Sequence, residues 1–272
     1  MVARLVRDQE VVGSNPTSPI KQMCTTKKMK KQFPSAEILL PVLILVILDI
    51  AFFAFQDIRF KHLGKSIFYT TKSAMAKKPP VELDIPYHKQ EHSLSCEIAS
   101  LKMVLHYYGT EVSESELLNL LPFDTRLSRS KNNIWGDPDL GFVGNIDGKI
   151  PNGGYGVYEK PIYDLAYAFG RTAIIVSHKP LSAILTEVEA GHPAIVWGTL
   201  SSGKDISWVT KSGKKIHAIY GEHARVISGF DGKAENPTKI FLLDPIYGEI
   251  IMTKEKFLYN WGLMDYKALV VY

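Results

Sequence analysis

Four residues in this chain have types and an order suited to nucleophilic acyl transfer. Gln90 lies six residues before Cys96, and Cys96 opens an apolar run, Cys96-Glu-Ile-Ala-Ser-Leu-Lys-Met-Val-Leu. His223 follows in Gly-Glu-His223-Ala-Arg-Val-Ile-Ser-Gly-Phe, and Asp244 in Ile-Phe-Leu-Leu-Asp244-Pro. A thiol attacks a carbonyl as the thiolate, a charge favoured by a helix N-terminus and a nearby imidazolium. In that chemistry Cys96 is the nucleophile, and His223 takes its proton and returns it to the leaving group. Asp244 would fix the imidazole tautomer. The Gln90 amide and the Cys96 N–H would donate to the oxyanion.

The surrounding pattern supplies elements to hold these groups. Ile98, Ala99, Leu101, Val104, Leu105 and Tyr108 repeat with helical spacing and end at Gly109, with Ser95 as the expected N-cap. Ser113-Glu-Ser-Glu116 is a capping box before a second helix that Pro122 stops. Residues 123–160 read as a long loop, 161–169 and 181–190 as helices followed by Gly170 and Gly191. Strands are expected at 194–199, 224–230, 239–243 and 268–271. Helices followed by a mostly antiparallel sheet make the fold class α+β.

On these motifs the chain resembles the C39-like cysteine peptidases of papain-like fold. The resemblance covers about residues 80–272 and rests on Asp84-Ile-Pro-Tyr87-His-Lys-Gln90, Ser95-Cys96-Glu-Ile-Ala-Ser, the His223 strand and Leu243-Asp244-Pro. Trp135-Gly-Asp-Pro-Asp-Leu-Gly-Phe-Val-Gly144-Asn and Gly154-Tyr-Gly-Val-Tyr158 also match it. It implies a peptide or protein substrate, no cofactor, Cys96 as nucleophile, His223 as base, Asp244 as its partner and Gln90 at the oxyanion. Some members are fused to ABC transporters and cut leader peptides. This chain has no phosphate-binding Gly-x-x-x-x-Gly-Lys-Ser/Thr loop, so that activity does not carry over.

Residues 38–55 form an apolar run broken by Asp49, long enough as a helix to nearly span a bilayer of about 30 Å. Its Leu, Ile, Val and Phe residues, at about 0.3 to 0.6 kcal/mol each, outweigh the roughly 2.5 to 3.5 kcal/mol of a central aspartate. With Lys27, Lys28, Lys30 and Lys31 before it, this reads as a retained single-pass signal anchor with an extracytoplasmic catalytic domain. Residues 1–37 form a tail, of which 1–22 resemble translation through a transfer-RNA gene, with the natural start expected at Met23 or Met29. Residues 56–78 are a basic juxtamembrane stem, and 79–272 one domain. A net charge of +4 and 22% charged residues give no support to nucleic-acid binding. Cys24 and Cys96 fall on opposite sides of the span, so no disulfide framework is available.

Blander readings weigh against each residue alone. A cysteine on a helix is commonly a small buried hydrophobe, and Asp-Pro after a strand is commonly a turn. His88, His92 and Cys96 recur every four residues, but Pro86 and the serines make that stretch loop rather than a zinc-binding helix face. Gly141-Phe-Val-Gly144 and Gly153-Gly-Tyr-Gly156 do not fit a dinucleotide fingerprint. Trp135, Phe142, Tyr155 and Tyr158 either line subsites or pack beneath the loop. A papain-like domain kept only for binding is the remaining rival.

Overall fold

A computed structural model describes residues 41, 44, 45, 47–56 and 79–272. The chain divides into two units, Met1–Ala74 and Met75–Tyr272. In the first, residues 47–56 are helical with exposed apolar side chains such as Ile47, Leu48, Phe52 and Phe53. Among the described residues no helix is long and apolar enough to cross a membrane. Much of the expected span at 38–55 lies outside them, as do the expected tail and most of the stem.

The second unit is built on a seven-stranded sheet, antiparallel at every pairing. Its long central strands are β10 (Glu222–Lys233) and β11 (Asn236–Asp244). β12 (Gly248–Thr253) lies beyond β11. On the other side of β10 come β7 (Ala194–Thr199), β13 (Ala268–Val271) and β6 (Ala173–Ile175). The short β1 (Val81–Glu82) pairs with the far part of β10. Hydrophobic alternation sends Ile195, Trp197, Ala224, Val226 and Leu269 to one face, under α1 (Cys96–Tyr107), α2 (Glu114–Leu120) and α3 (Glu159–Ala168). Ala194, Val196, Ile227, Leu242 and Val270 go to the other face, under α4 (Leu181–Glu189) and α5 (Lys254–Gly262). Fold class α+β with an antiparallel sheet follows, with helices covering both faces.

The capping box forms: Ser113 accepts from Glu116 N while the Glu116 carboxylate accepts from Ser113 N. The strands expected at 194–199 and 268–271 form over those residues. The other two extend further than expected: β10 takes in the buried polar residues Glu222 and Asp231, and β11 takes in Asn236, Pro237 and Asp244, none of them typical strand residues. The expected loop 123–160 instead contains β2 (Phe123–Thr125), β3 (Ile134–Trp135), β4 (Phe142–Gly144) and β5 (Gly154–Gly156). β2, β4 and β5 form one small sheet, and β3 pairs with β8 (Trp208–Thr210) beside β9 (Lys215–Ile216) in another. Trp135, Phe142, Tyr155 and Tyr158 are all buried, which fits the packing alternative for Phe142 and Tyr155, while Trp135 and Tyr158 also border cavities.

Candidate active site

Cys96 is the first residue of α1 and is 4% exposed. Ser95 takes the N-cap position but makes no cap hydrogen bond with its side chain. Its hydroxyl instead accepts from His92 N at 3.1 Å, bracing the loop in front of the helix. The Cys96 thiol donates to Glu97 Oε2 at 3.2 Å, and Sγ accepts from Ala224 N at 3.4 Å. Glu97 Oε1 in turn accepts from Val157 N at 2.7 Å. The Glu222 carboxylate completes the group, and Glu97 and Glu222 are as buried as the sulfur.

Electrostatics in this pocket differ from the sequence expectation. Burial first, then the Glu97 and Glu222 carboxylates, push the Cys96 thiol well above its ordinary range. Burial lifts Glu97 to about 7, and burial with Glu97 beside it raises Glu222 too. A helix N-terminus contributes only about 0.3 to 1 kcal/mol in exposed settings, rising to about 2 when partly buried. Full desolvation moves a pKa by several units, up to about 3 to 5. Desolvation wins, and the thiol in this arrangement is neutral rather than a thiolate.

His223 Nε2 lies 3.1 Å from Asp244 Oδ2, although the ring N–H is not aligned for a good hydrogen bond. Arg225 Nε donates to the same oxygen at 2.7 Å and Arg225 Nη1 to Asn260 at 3.2 Å. Asp244 Oδ1 accepts from Ile246 N and Tyr247 N. Burial lowers the His223 pKa below its usual value, so the ring is a neutral imidazole near pH 7. Gln90 N donates to Pro245 O at 2.9 Å, which docks the Gln90 loop against the Asp244 turn. Its side-chain Nε2 donates to His92 O and Ser93 O, so the amide closes its own loop instead of facing the sulfur.

The structure therefore brings His223, Asp244 and the Gln90 backbone together, and sets Cys96 against the next amide along, Ala224 N. It does not join Cys96 to His223. The cause lies in β10, where side chains alternate between faces. Register pairs Glu222, Ala224 and Val226 with Thr199, Trp197 and Ile195, on the face toward α1. His223 and Arg225 pair with Gly198 and Val196, on the face toward α5. A Cβ at Gly198 would meet Asn260 Oδ1 and Arg225 Nη1, which fixes that second face.

Three residues escaped the sequence reading. Arg225, two positions after His223, shares its face by strand period and was readable as a second partner for Asp244. Glu222 and Glu97 neighbour His223 and Cys96 in sequence, but nothing in the sequence signalled burial of both carboxyls. The histidines of the metal alternative diverge: His88 Nε2 contacts Glu114 at 2.9 Å, and His92 pairs with Asp147. A cavity of about 690 Å³ borders Asp124, Leu127, Trp135, Leu140 and Thr210. None of the four expected catalytic residues lines it.

Residues 82–269 match the Peptidase_C39 like family, and the chain belongs to that family. The uncharacterized protein YvpB of Bacillus subtilis (strain 168) is 32% identical over 182 residues, 65% of this chain and 68% of its own length. The crystal structure of a C39-like peptidase candidate from Bacillus anthracis is similar at 27% identity and a TM-score of 0.62. That match covers 72% of this chain and 98% of the other. A double glycine motif protease from an AMS/PCAT transporter, in complex with the leader peptide, matches at 16% identity with a TM-score of 0.41, over 71% of this chain and 96% of that one.

Proposed function

We propose that the chain is a thiol-dependent peptidase that cleaves a peptide or amide bond through a Cys96 thioester. His223 serves as base and then acid, Asp244 holds its ring, and Gln90, once its amide leaves His92 O and Ser93 O, joins the Cys96 N–H at the oxyanion. The observation carrying this reading is the sulfur's contact with Ala224 N, one residue from a histidine already seated on its aspartate. Catalysis then requires the thiol to leave Glu97 and the first residues of β10 to turn His223 from the α5 face toward the sulfur. Two neutral partners exchange one proton in that step and form the thiolate–imidazolium pair. The anchor at 38–55 would hold the domain at the outer membrane face. The exposed apolar side chains of residues 47–56 support an apolar partner for that segment.

The test is a mass-spectrometric peptide-library digest with the wild-type chain and Cys96→Ala. Cleavage lost in Cys96→Ala is expected, with Asp244→Asn retaining more turnover than His223→Ala. A proton-transfer residue contributes roughly a hundredfold to ten-thousandfold in rate. Equal cleavage by Cys96→Ala would overturn the mechanism. The buried neutral thiol favours a second reading, a membrane-tethered binding module. Peptides captured equally by both proteins and cut by neither would establish it. A thiol amidase or acyltransferase would act on non-protein amides in the same assay format.

A further inference from the structure

We propose that Cys96, Glu97 and Glu222 form a binding site for a thiophilic divalent cation, with Zn²⁺ the best chemical match. One donor atom from each residue lies within 4.8 Å of the others, and Cys96 Sγ is 3.2 Å from Glu97 Oε2. Zinc bonds of about 2.3 Å to sulfur and about 2.0 to 2.2 Å to carboxylate put tetrahedral donors roughly 3.3 to 3.6 Å apart. The Cys96–Glu97 pair is already near that spacing, and the other pairs, within 4.8 Å, would have to close by about 1.5 Å at most. Zinc sites with three protein ligands keep the fourth position open for a water or a ligand atom.

Two independent features point to an occupant. Glu222 is 4% exposed, and its Oε1 is buried with no hydrogen-bond partner. A buried carboxylate without a donor is costly, and a cation removes that cost. Second, the backbone has been cleared for both acids. A Cβ at Gly156 would lie 2.4 Å from Glu222 Oε2 and 2.5 Å from Glu97 Oε1, so both carboxylates converge over one bare Cα. This gives the Gly-Tyr-Gly segment a role that the phosphate reading could not.

Charge compensation separates this cluster from the other convergent group. His88, Glu91 and Glu114 already have Lys102, whose Nζ is 3.5 Å from Glu91. Among the described residues no lysine or arginine forms an ion pair with Glu97 or Glu222; the nearby Arg225 acts on Glu222 only through its charge and gives its hydrogen bonds to Asp244 and Asn260. Binding replaces the thiol proton and any proton on the two carboxyls, which pass to solvent, and involves no redox change. The cation ties up the proposed nucleophile, so metal occupancy and alkylation of Cys96 exclude each other. The site rests on its donors alone and does not depend on peptidase activity.

The experiment titrates Co²⁺ into the chelator-treated full chain and follows the thiolate-to-cobalt charge-transfer absorption. One Co²⁺ per chain is expected, displaced by Zn²⁺, with Cys96 protected from iodoacetamide at the peptide level. The band should vanish in Cys96→Ser, and affinity should fall at least about tenfold in Glu222→Gln and Glu97→Gln. No band in the wild type at saturating Co²⁺ overturns the site. So does unchanged affinity in Glu222→Gln that unfolds at the wild-type temperature. Should Glu97→Gln fail to fold, Glu222→Gln still decides, because no hydrogen bond to the Glu222 side chain is lost with it. The readout needs no turnover, so a failed peptidase reading leaves it intact.

Discussion

Arg225 Nε donates to Asp244 Oδ2 at 2.7 Å, and that oxygen is the one His223 Nε2 approaches to 3.1 Å. The aspartate thus serves two side chains from one strand face, while its other oxygen takes two backbone amides of the following turn. Asp244 is therefore as much a structural junction as an orienting group for the imidazole. Substituting it tests both roles at once.

Asp244 anchors acid stability. Burial alone would raise its pKa, but His223, then Arg225 and the Ile246 amide, hold it well below the carboxylate range. A depressed folded-state pKa gives stability that is complete above the unfolded value of about 3.9 and disappears as pH falls through the folded one. Asp244→Asn should lose about 3 to 5 kcal/mol near neutral pH, because Arg225 is left as an unpaired buried charge. Its urea midpoint should also respond less to acidification below about pH 4. Parallel wild-type and variant pH profiles would contradict this account.

Glu97 acts in the opposite sense. Its folded-state pKa, raised by burial to about 7, exceeds the unfolded value. The fold then binds the proton more tightly, so this contribution is full below about pH 4.3 and is lost as pH rises toward 7. Glu222 is raised as well and adds to the same trend. Urea unfolding between those limits should show wild-type stability declining with pH and a flatter profile in Glu97→Gln. A steeper decline in the variant would be incompatible with a buried, protonated Glu97.

Which parts were legible follows from which signals are local. The α1 pattern, the Ser113 capping box and the apolar strands at 194–199 and 268–271 depend on neighbours in sequence, and all appear. The four site residues were selected by type and order, and three of them converge through the Asp244 turn. Side-chain direction was not legible, because it depends on strand register. Shifting β10 by one residue would exchange Glu222 for His223 on the α1 face. Nor did the sequence show that Ser95 would brace His92 rather than cap α1. The strands within 123–160 are two or three residues long, below the length at which alternation is readable.

Glycines separate two kinds of constraint. At Gly109 φ is +77° and a Cβ would meet nothing within 4 Å, so Gly109→Ala should cost only the backbone penalty of about 1 to 2 kcal/mol. At Gly156 φ is +151° and the same atom would collide with two buried carboxylates. Gly156→Ala should cost clearly more, about 3 kcal/mol or above, as overpacking adds to backbone strain. Thermal unfolding of the two variants side by side measures the difference. Equal losses would show that the carboxylates move aside freely.

Labelling of Cys96 in the chelator-treated chain tests the metal-free resting state directly. A thiol raised by burial and by two carboxyl neighbours should react slowly with iodoacetamide at neutral pH and accelerate only in alkali, beyond the ordinary thiol range near 8.5. Glu97→Gln and Glu222→Gln each remove one repelling charge, so both should shift that profile to lower pH, while His223→Ala should leave it nearly unchanged because the ring faces the other side of β10. Peptide-level mass spectrometry keeps the Cys96 signal apart from Cys24. Rapid wild-type labelling below pH 7 that disappears in His223→Ala would mean the imidazole pairs with the thiol in the resting protein. The carboxylate-bound thiol described here would then be wrong. Slow labelling that becomes fast only on adding a peptide substrate would place formation of the thiolate–imidazolium pair in the substrate-bound state.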